Sequence, residues 1–595
     1  MTDPRGEYER RLGSWAARIS ELDRRHLLIS NLRLLLAVVF VAVAWLAFGR
    51  SLLQAAWLLV PAVTFGGLLI VHARVLNRAE RARRAQRLYQ RGLGRLEGRW
   101  AGSGMDGSRF LDDHPYARDL DLFGRASLFE LINTARTEAG EETLAGWLRS
   151  GAAVDEVRAR QAGVDELRSL LDFREDLAVL ADEGAVSRTG AVARWADSPP
   201  VGIGSFVPLL FAVCALVLIA LAVLAWQGAV QWSMVLLWLL VEAALVRVSR
   251  RSTQLVTARV GRPAGDLAIM TELLERVERE PLTAPRLSAV QAALHIGGVR
   301  ASHAVRRLTQ LVSLHESSTH NLFFMPLTTA LLVPDQLAIA IDRWHARHGP
   351  AVADWLRAIG ELEALSAIAT YAYERTADPF PEIVDAGPMF HADALGHPLM
   401  TDAVAVRNDV RLGGSGAPHV IVVSGSNMSG KSTLLRAIGT NVVLALAGAP
   451  VRAAAMRLSP LAIGATLRIE DSLQAGHSRF YAEIVRIRGI VDVARGPVPL
   501  LFLLDEILHG TNSYDRRIGA EGIVRALVGY GAIGLVTTHD LALTELPSLL
   551  GPRAVNMHFE DRLEEGVMAF DYRMRPGVVE HSNALALMRA IGLDV

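Results

Sequence analysis

His419-Val-Ile-Val-Val-Ser-Gly-Ser-Asn-Met-Ser-Gly-Lys-Ser-Thr-Leu-Leu-Arg-Ala-Ile438 is the stretch that decides how the C-terminal part of this chain folds. His419 to Ser424 carries a β-branched apolar run without alternation, the pattern of a strand buried on both faces. Gly425 to Ser432 then spell G-x-x-x-x-G-K-S, and Thr433 to Ile438 read as a helix. In this strand–loop–helix setting the glycines let backbone N–H groups turn inward around phosphate oxygens, at the positive end of a helix. Gly425, Ser426, Asn427, Met428, Ser429, Gly430, Lys431, Ser432 and Thr433 are therefore the candidate nucleotide-binding loop. Lys431 is expected to reach the β- and γ-phosphates of ATP, and Ser432 to give its hydroxyl to Mg2+. Lys431 is also the only lysine in a sequence whose other cations are arginines. Against that bias, a retained lysine marks a place where a compact ammonium is needed.

Working outward, Val498 to Leu504 is a second apolar strand and ends in Asp505-Glu506. Asp505 is the candidate metal-shell carboxylate. Glu506 is the candidate group that orients and polarises the attacking water. A third strand, Ile533 to Val536, leads into Thr537-Thr538-His539-Asp540. A histidine just past the C-terminal end of a parallel strand faces the ligand crevice, which makes His539 a candidate γ-phosphate sensor. The catalytic set read from the sequence is thus Lys431, Glu506 and His539, with Ser432 and Asp505 at the metal.

Several of these segments resemble the MutS family. Gly-Ser-Asn-Met-Ser-Gly-Lys-Ser-Thr, residues 425–433, is similar to that family's P-loop, and its Asn-Met pair is more specific than the bare motif. Asp505-Glu506-Ile507 with Gly510-Thr511, and Thr538-His539, resemble its acidic strand end and switch histidine. Gly476-His477-Ser478-Arg479-Phe480 with Glu483 resembles its signature segment, and Val555-Asn556-Met557-His558 and Pro576-Gly577 through Ser582 to Gly592 also match. The resemblance is strong over 386–595. It is weak but ordered over about 109–375, beginning with Ser127-Leu128-Phe129, Gly140 and Trp147-Leu148. It implies a P-loop NTPase domain of the ABC/MutS type using ATP and Mg2+. It also implies a homodimer in which Ser478 reaches ATP held by the other subunit, and Asn408 beside the nucleotide. By family analogy DNA is a candidate partner and mismatch-repair-like action a candidate role. The sequence departs from the pattern in having no Phe-x-Glu mismatch wedge, Ala405 where many relatives stack an aromatic on adenine, and a C-terminus at Val595 without a further dimerising helix-turn-helix.

The rest of the chain has another character. Hydrophobic residues make up 51% of its 595 residues, and Lys+Arg and Asp+Glu balance at 62 each. No global field draws it to nucleic acid. One cysteine, Cys214, excludes an intrachain disulfide framework. Four apolar stretches have the length of membrane spans: Leu34 to Phe48, Leu52 to Val71, Phe206 to Trp226 and Val230 to Val246. Arginines cluster before and after the first pair and after the second, whereas the short internal links hold only Arg50. The positive-inside rule then makes two hairpins with everything else cytoplasmic, at the inner face of the cell membrane. Arg74 to Arg99 is expected to lie against anionic membrane lipids. Glu242 falls near the end of the fourth stretch, and Leu322 to Val333, too short to span, reads as a buried helix.

The expected architecture is multidomain: α-helical transmembrane hairpins, an all-α core and lever region, and a C-terminal α/β P-loop domain. The expected boundaries are a cytoplasmic segment 1–31, hairpin one 32–72, a basic linker 73–108, core 109–200, hairpin two 201–248, core and lever 249–385, and ATPase 386–595. The function expected is a membrane-anchored ATPase switching in a composite dimer site. The rival is a tethered mechanochemical ATPase acting on a lipid or an unknown protein partner without DNA.

Overall fold

The computed structural model describes the chain except residues 1–2, 112–113, 184–188, 205, 297, 321–323, 427, 469–478, 509–510, 540, 565–566 and 580–595. It opens with a long helical hairpin, α1 (Pro4–Ala44) and α2 (Leu59–Leu96). Asp3 caps α1 by accepting from the backbone N–H groups of Arg5 and Gly6 at 3.2 and 3.1 Å. The distal half of this hairpin is apolar and exposed, with Leu34, Val41, Phe48, Leu59 and Val63 all facing outward. The proximal half packs on a helical core of α3 (Leu128–Ile132), α4 (Glu138–Arg149), α5 (Val154–Ser169), α6 (Leu171–Glu183) and α7 (Thr189–Asp197). A second hairpin follows, α8 (Val207–Trp226) and α9 (Trp232–Arg279), the latter running far past the apolar stretch into the core. Then come α10 (Pro285–Ala293), a short ladder of β1 (His295–Ile296) with β2 (Val299–Arg300), α11 (Ala301–His320), α12 (Met325–Ala330) and α13 (Val333–Glu374).

Three helical stretches, Pro4–Gly49, Ala55–Leu96 and Val207–Trp226, are long and apolar enough to cross a membrane. The pair Trp232–Arg247 and Arg250–Gly261, bent by 61°, makes a fourth if taken as one span.

Helix α13 ties the parts together. Its buried Asp342 accepts from the backbone N–H groups of Val201, Gly202 and Ile203 at 2.8 to 3.3 Å, fixing the chain that enters α8. At its end, Glu374 pairs with Arg95 of α2 at 2.6 Å and accepts from Tyr8 of α1 at 3.2 Å. Between them Gly360 lets α4 approach closely; an added Cβ would lie 2.7 Å from the Ala139 carbonyl oxygen. Glu363 next to it accepts from the Arg136 and Thr137 N–H groups at 3.0 and 3.3 Å.

Two expectations change here. Residues 324–331 are not a buried helix: α12 contains no buried residue, and Phe324 and Leu327 are 60% and 59% exposed. An apolar run interrupted by Pro326 reads as core by composition, but it is a short turn of helix beside the second hairpin. The core is not wholly α-helical, because β1 and β2 pair. Several arginines in the basic stretch of α2 have carboxylate partners. Arg81, Arg83 and Arg95 pair with Glu272, Asp23 and Glu374, and Arg87 with Glu80.

The C-terminal region is built on two sheets. The smaller holds β3 (Glu382–Ile383), β4 (Met389–Leu395), β5 (Asn408–Gly413) and, farther along the chain, β7 (Ala455–Leu458), in the order β3-β7-β4-β5. The larger collects β6 (Val420–Ser424), which is followed by α14 (Lys431–Ala447); β7 (Ala455–Leu458) returns to the smaller sheet. Next come β8 (Ala462–Thr466), α15 (Arg479–Ala494), β9 (Leu500–Leu504), α16 (Ser513–Gly529), β10 (Ile533–Thr538), α17 (Leu546–Leu550), β11 (Ala554–Glu564) and β12 (Val567–Pro576). The larger sheet runs β12-β11-β6-β10-β9-β8, parallel except for β12. All five residues of β6 and of β9 are buried, as their unbroken apolar runs require. Ser424 stands opposite Thr538, and Leu504 opposite Val536. The strands therefore end together, and the loops after β6, β9 and β10 converge on one crevice.

Candidate nucleotide site

The loop after β6 wraps because its backbone is left-handed at three points: Gly425 (φ 148°), Met428 (φ 71°) and Gly430 (φ 103°). A side chain at Gly425 would press within 3.1 Å of the Phe559 carbonyl oxygen, so only glycine fits between β6 and β11. Gly430 also caps α14, whose first residue is Lys431. Lys431 is 4% exposed, and its ammonium donates to the carbonyl oxygens of Gly425 and Ser426 at 2.7 and 2.8 Å. Burial pulls its pKa down to about 8, against the partial support of Glu506 and Asp505.

Ser432 and Asp505 meet as expected. The Ser432 hydroxyl donates to Asp505 Oδ2 at 2.6 Å, and the Thr537 hydroxyl donates to Oδ1 at 2.5 Å. Two hydroxyls thus aim the carboxylate back at the loop. A hydroxyl and a carboxylate oxygen in contact suit Mg2+, which takes hard oxygen ligands and leaves its remaining positions to phosphate and water. Glu506 follows in a left-handed conformation (φ 48°) and donates its N–H to Thr537 Oγ1 at 3.0 Å. Its carboxylate is hydrogen-bonded to His539 Nε2, and that nitrogen lies 3.4 Å from Lys431 Nζ. The three catalytic candidates therefore form one contiguous group. Glu483, buried on α15, accepts from the Leu508 N–H at 2.5 Å and ties that helix to the loop after Glu506.

A cavity of about 660 Å³ opens beside this group. Asn408, Ser426, Met428, Gly430, Lys431, Ser432, Thr433 and Glu506 contribute to its wall. Ser426 Oγ is buried in the loop with no hydrogen-bond partner among the described residues, as a hydroxyl awaiting a phosphate oxygen would be. Ser429 has a different place. Its buried hydroxyl donates to the Ser426 carbonyl at 2.9 Å and so braces the loop from behind. The Met428 side chain is 84% exposed. Asn427, Ser478, Gly510 and Asp540 lie outside the described residues, as do Gly476-His477 and Ser582 to Gly592.

Tyr572 is a wall residue that reading the sequence missed. It faces the cavity from β12, its ring 3.1 Å from the position a Gly430 Cβ would take. Asn408 holds it there: its amide donates to the Tyr572 carbonyl at 3.0 Å and accepts from the Met574 N–H at 2.7 Å. Met400, Val404 and Val406 line the same cavity as Tyr572. The signal was present as an aromatic at a strand position, but only the β11–β12 pairing brings it back over the loop.

The same region matches known proteins. Residues 421–594 match the family model for MutS domain V. Over 254 residues the chain is 32% identical to the DNA mismatch repair protein MutS of Brevibacillus brevis, covering 42% of this chain and 29% of that protein. It is 31% identical over 236 residues to DNA mismatch repair protein MutS 2 of Halobacterium salinarum, covering 39% and 27%. A probable DNA mismatch repair protein Msh6 of Drosophila melanogaster is 27% identical over 289 residues, 47% of this chain and 23% of that one. The chain thus spans less than a third of the length of each of these relatives. With the P-loop, the acidic strand end and the histidine after β10 assembled on one parallel sheet, residues 421–594 of the chain are similar to MutS domain V.

Proposed function

We propose that this protein is a Mg2+-dependent ATPase, anchored in the cytoplasmic membrane by two helical hairpins, whose C-terminal domains pair and close around nucleotide. The observation that carries the reading is the convergence of Lys431, the Ser432–Asp505 pair and the Glu506–His539 pair at the ends of three parallel strands. Bound Mg2+-ATP would supply the phosphoryl group that reacts. Lys431 offers a buried positive charge to phosphate oxygens, and Ser432 with Asp505 offers oxygens to the metal. Glu506 takes a proton from water on its carboxylate, and His539 holds that carboxylate in place. Tyr572 and the apolar residues around it give the base a wall. Ser478 is proposed to act on the nucleotide of a second copy.

Closure of a homodimer would move α13 and, through Asp342 and Glu374, both hairpins. Two readings of the output stand apart. In the first, suggested by the mismatch-repair names of the relatives, DNA is the partner. In the second, the stroke works on a lipid or protein partner, and the hairpins favour it. The exposed apolar halves of α1, α2, α8 and α9 have no counterpart in a task on DNA alone. The test is ATP hydrolysis by purified protein in detergent or vesicles, with Lys431→Ala as control, with and without duplex DNA over a range of salt. Hydrolysis lost in Lys431→Ala supports the ATPase reading, and equal hydrolysis by both proteins refutes it. Stimulation by DNA that falls steeply with salt would select the first reading. Indifference to DNA selects the second.

A further inference from the structure

Residues 324–331, between α11 and α13, are not used by the nucleotide site, and none of them is buried. Helix α12 has only six residues and no buried side chain. Phe324, Met325 and Leu327 face outward, in a chain whose other large exposed apolar surfaces lie mostly on the two hairpins. The segment folds back on α11. The Thr328 hydroxyl donates to the Ser318 carbonyl at 2.8 Å, and His315 Nδ1 donates to the Pro334 carbonyl at 3.2 Å. Leu332, left-handed at φ 56°, makes the bend into α13.

What the segment packs against sets its position. Ile339 and Leu332 cluster with Phe211 and Cys214 in the first half of α8. Ala330 and Leu331 pack on the cluster of Leu218 and Ala225, in the second half of α8, and Val235, at the start of α9. Followed backward from α13, the segment therefore climbs along the second hairpin from its basal end. At the base, Asp335 faces Thr253, His315 and Arg250, a polar group suited to the headgroup level. Glu316 and His320 are exposed on α11. A six-residue helix is far too short to cross about 30 Å of hydrocarbon, so the chain has to return on the side from which it came.

We infer that residues 324–332 are a third membrane-embedded element, a re-entrant dip beside α8 and α9 whose outward face, carried by Phe324, Met325 and Leu327, contacts lipid acyl chains. The inference rests on the reading of α8 and α9 as a membrane hairpin. Non-helical backbone at such depth is tolerated where protein shields it, which here is the side turned to the second hairpin. The dip also joins the bilayer directly to the start of α13, the helix that leads to the ATPase domain.

The test uses the full chain with its sole cysteine removed (Cys214→Ala) and new cysteines placed one at a time. Leu327→Cys and Phe324→Cys probe the dip, Leu237→Cys probes the exposed face of α9, and Tyr514→Cys probes the ATPase surface. Each is labelled with an environment-sensitive fluorophore and reconstituted in phosphatidylcholine–phosphatidylglycerol vesicles with or without nitroxide-labelled acyl chains. The expected result is quenching of Leu327→Cys and Phe324→Cys to the same extent as Leu237→Cys, with Tyr514→Cys unaffected. If Leu237→Cys is quenched while both dip positions stay bright, the dip is not in lipid and the inference falls, although the hairpin stands. Protection of the dip positions from both nitroxide lipid and aqueous iodide would assign them a protein occupant and also overturn it. If Leu237→Cys itself is not quenched, the hairpin reading fails first and carries the inference with it.

Discussion

Lys431 is held in a conflict that a pH series can read. Burial lowers its pKa to about 8, whereas the two carboxylates beside it favour the charged form without winning. Between that value and the ordinary lysine range, the folded protein without nucleotide has released this proton and the unfolded chain still holds it. Raising the pH through 8 therefore does not weaken the fold at this residue. It weakens nucleotide binding, because phosphate needs the ammonium and must recapture its proton. ATP affinity is expected to fall as the pH rises from 8 to 10. Calorimetry at pH 9 in buffers of different ionisation enthalpy should show net proton uptake on binding. Glu506→Gln keeps the shape but loses the proton acceptor. Turnover is expected to drop by about two to four orders of magnitude with ATP still bound, measured by single-turnover hydrolysis and filter binding. Tyr572→Ala removes the aromatic wall and should cost about 1 kcal/mol in ATP affinity, seen in titration of a fluorescent analogue. Asp505, Glu506 and His539 were legible because each sits within two residues of a strand end, and Lys431 because it opens α14 at the end of the loop after β6, where local order fixes position. Tyr572 was not. Its place depends on a long antiparallel pairing and on the Asn408 clasp, contacts that bring together residues far apart in the chain.

At the scale of elements, the apolar runs announced the strands and the long helices, but composition did not say what covers an apolar face. Leu322 to Val333 shows the ambiguity: the same residues suit a protein core or hydrocarbon, and only packing distinguishes them. The arginines of α2 show another, since Glu272 and Glu374, which neutralise Arg81 and Arg95, lie far along the chain. A third long-range contact carries a prediction. Asp119 is fully buried and accepts from the Leu467 and Arg468 N–H groups at 2.7 and 2.8 Å and from Arg486 of α15. Its own carbonyl accepts from Arg436 of α14 at 3.1 Å. One short segment thus grips the P-loop helix and the described residues on both sides of 469–478. Asp119→Ala would strand two backbone donors and a guanidinium, lowering stability by roughly 2–4 kcal/mol in denaturant unfolding.

For the whole molecule, deletion is the informative experiment. Removing residues 1–72 should leave the protein in the membrane fraction through the second hairpin. Removing both hairpins should release the ATPase domain into the soluble fraction, as assayed by flotation. A protein that floats after both deletions would refute the anchoring. The same hairpins bear on what α13 does. It is a single helix of 42 residues, about 63 Å long, and it begins at the segment that climbs along α8 and ends eight residues before β3. Asp342 and Glu374 fasten one hairpin near each end of it. Such a rod has little compliance along its axis, and its one weak point in bending is Pro350, which withholds a backbone hydrogen bond at mid-length. Thrust would pass along it almost undiminished, whereas sideways load would be taken up by flexure at the proline. Phase matters as much as length: one inserted residue would turn everything beyond it by ~100° and lengthen the rod by only ~1.5 Å. A nucleotide engine coupled through this shaft would then keep its power and deliver it to the wrong face.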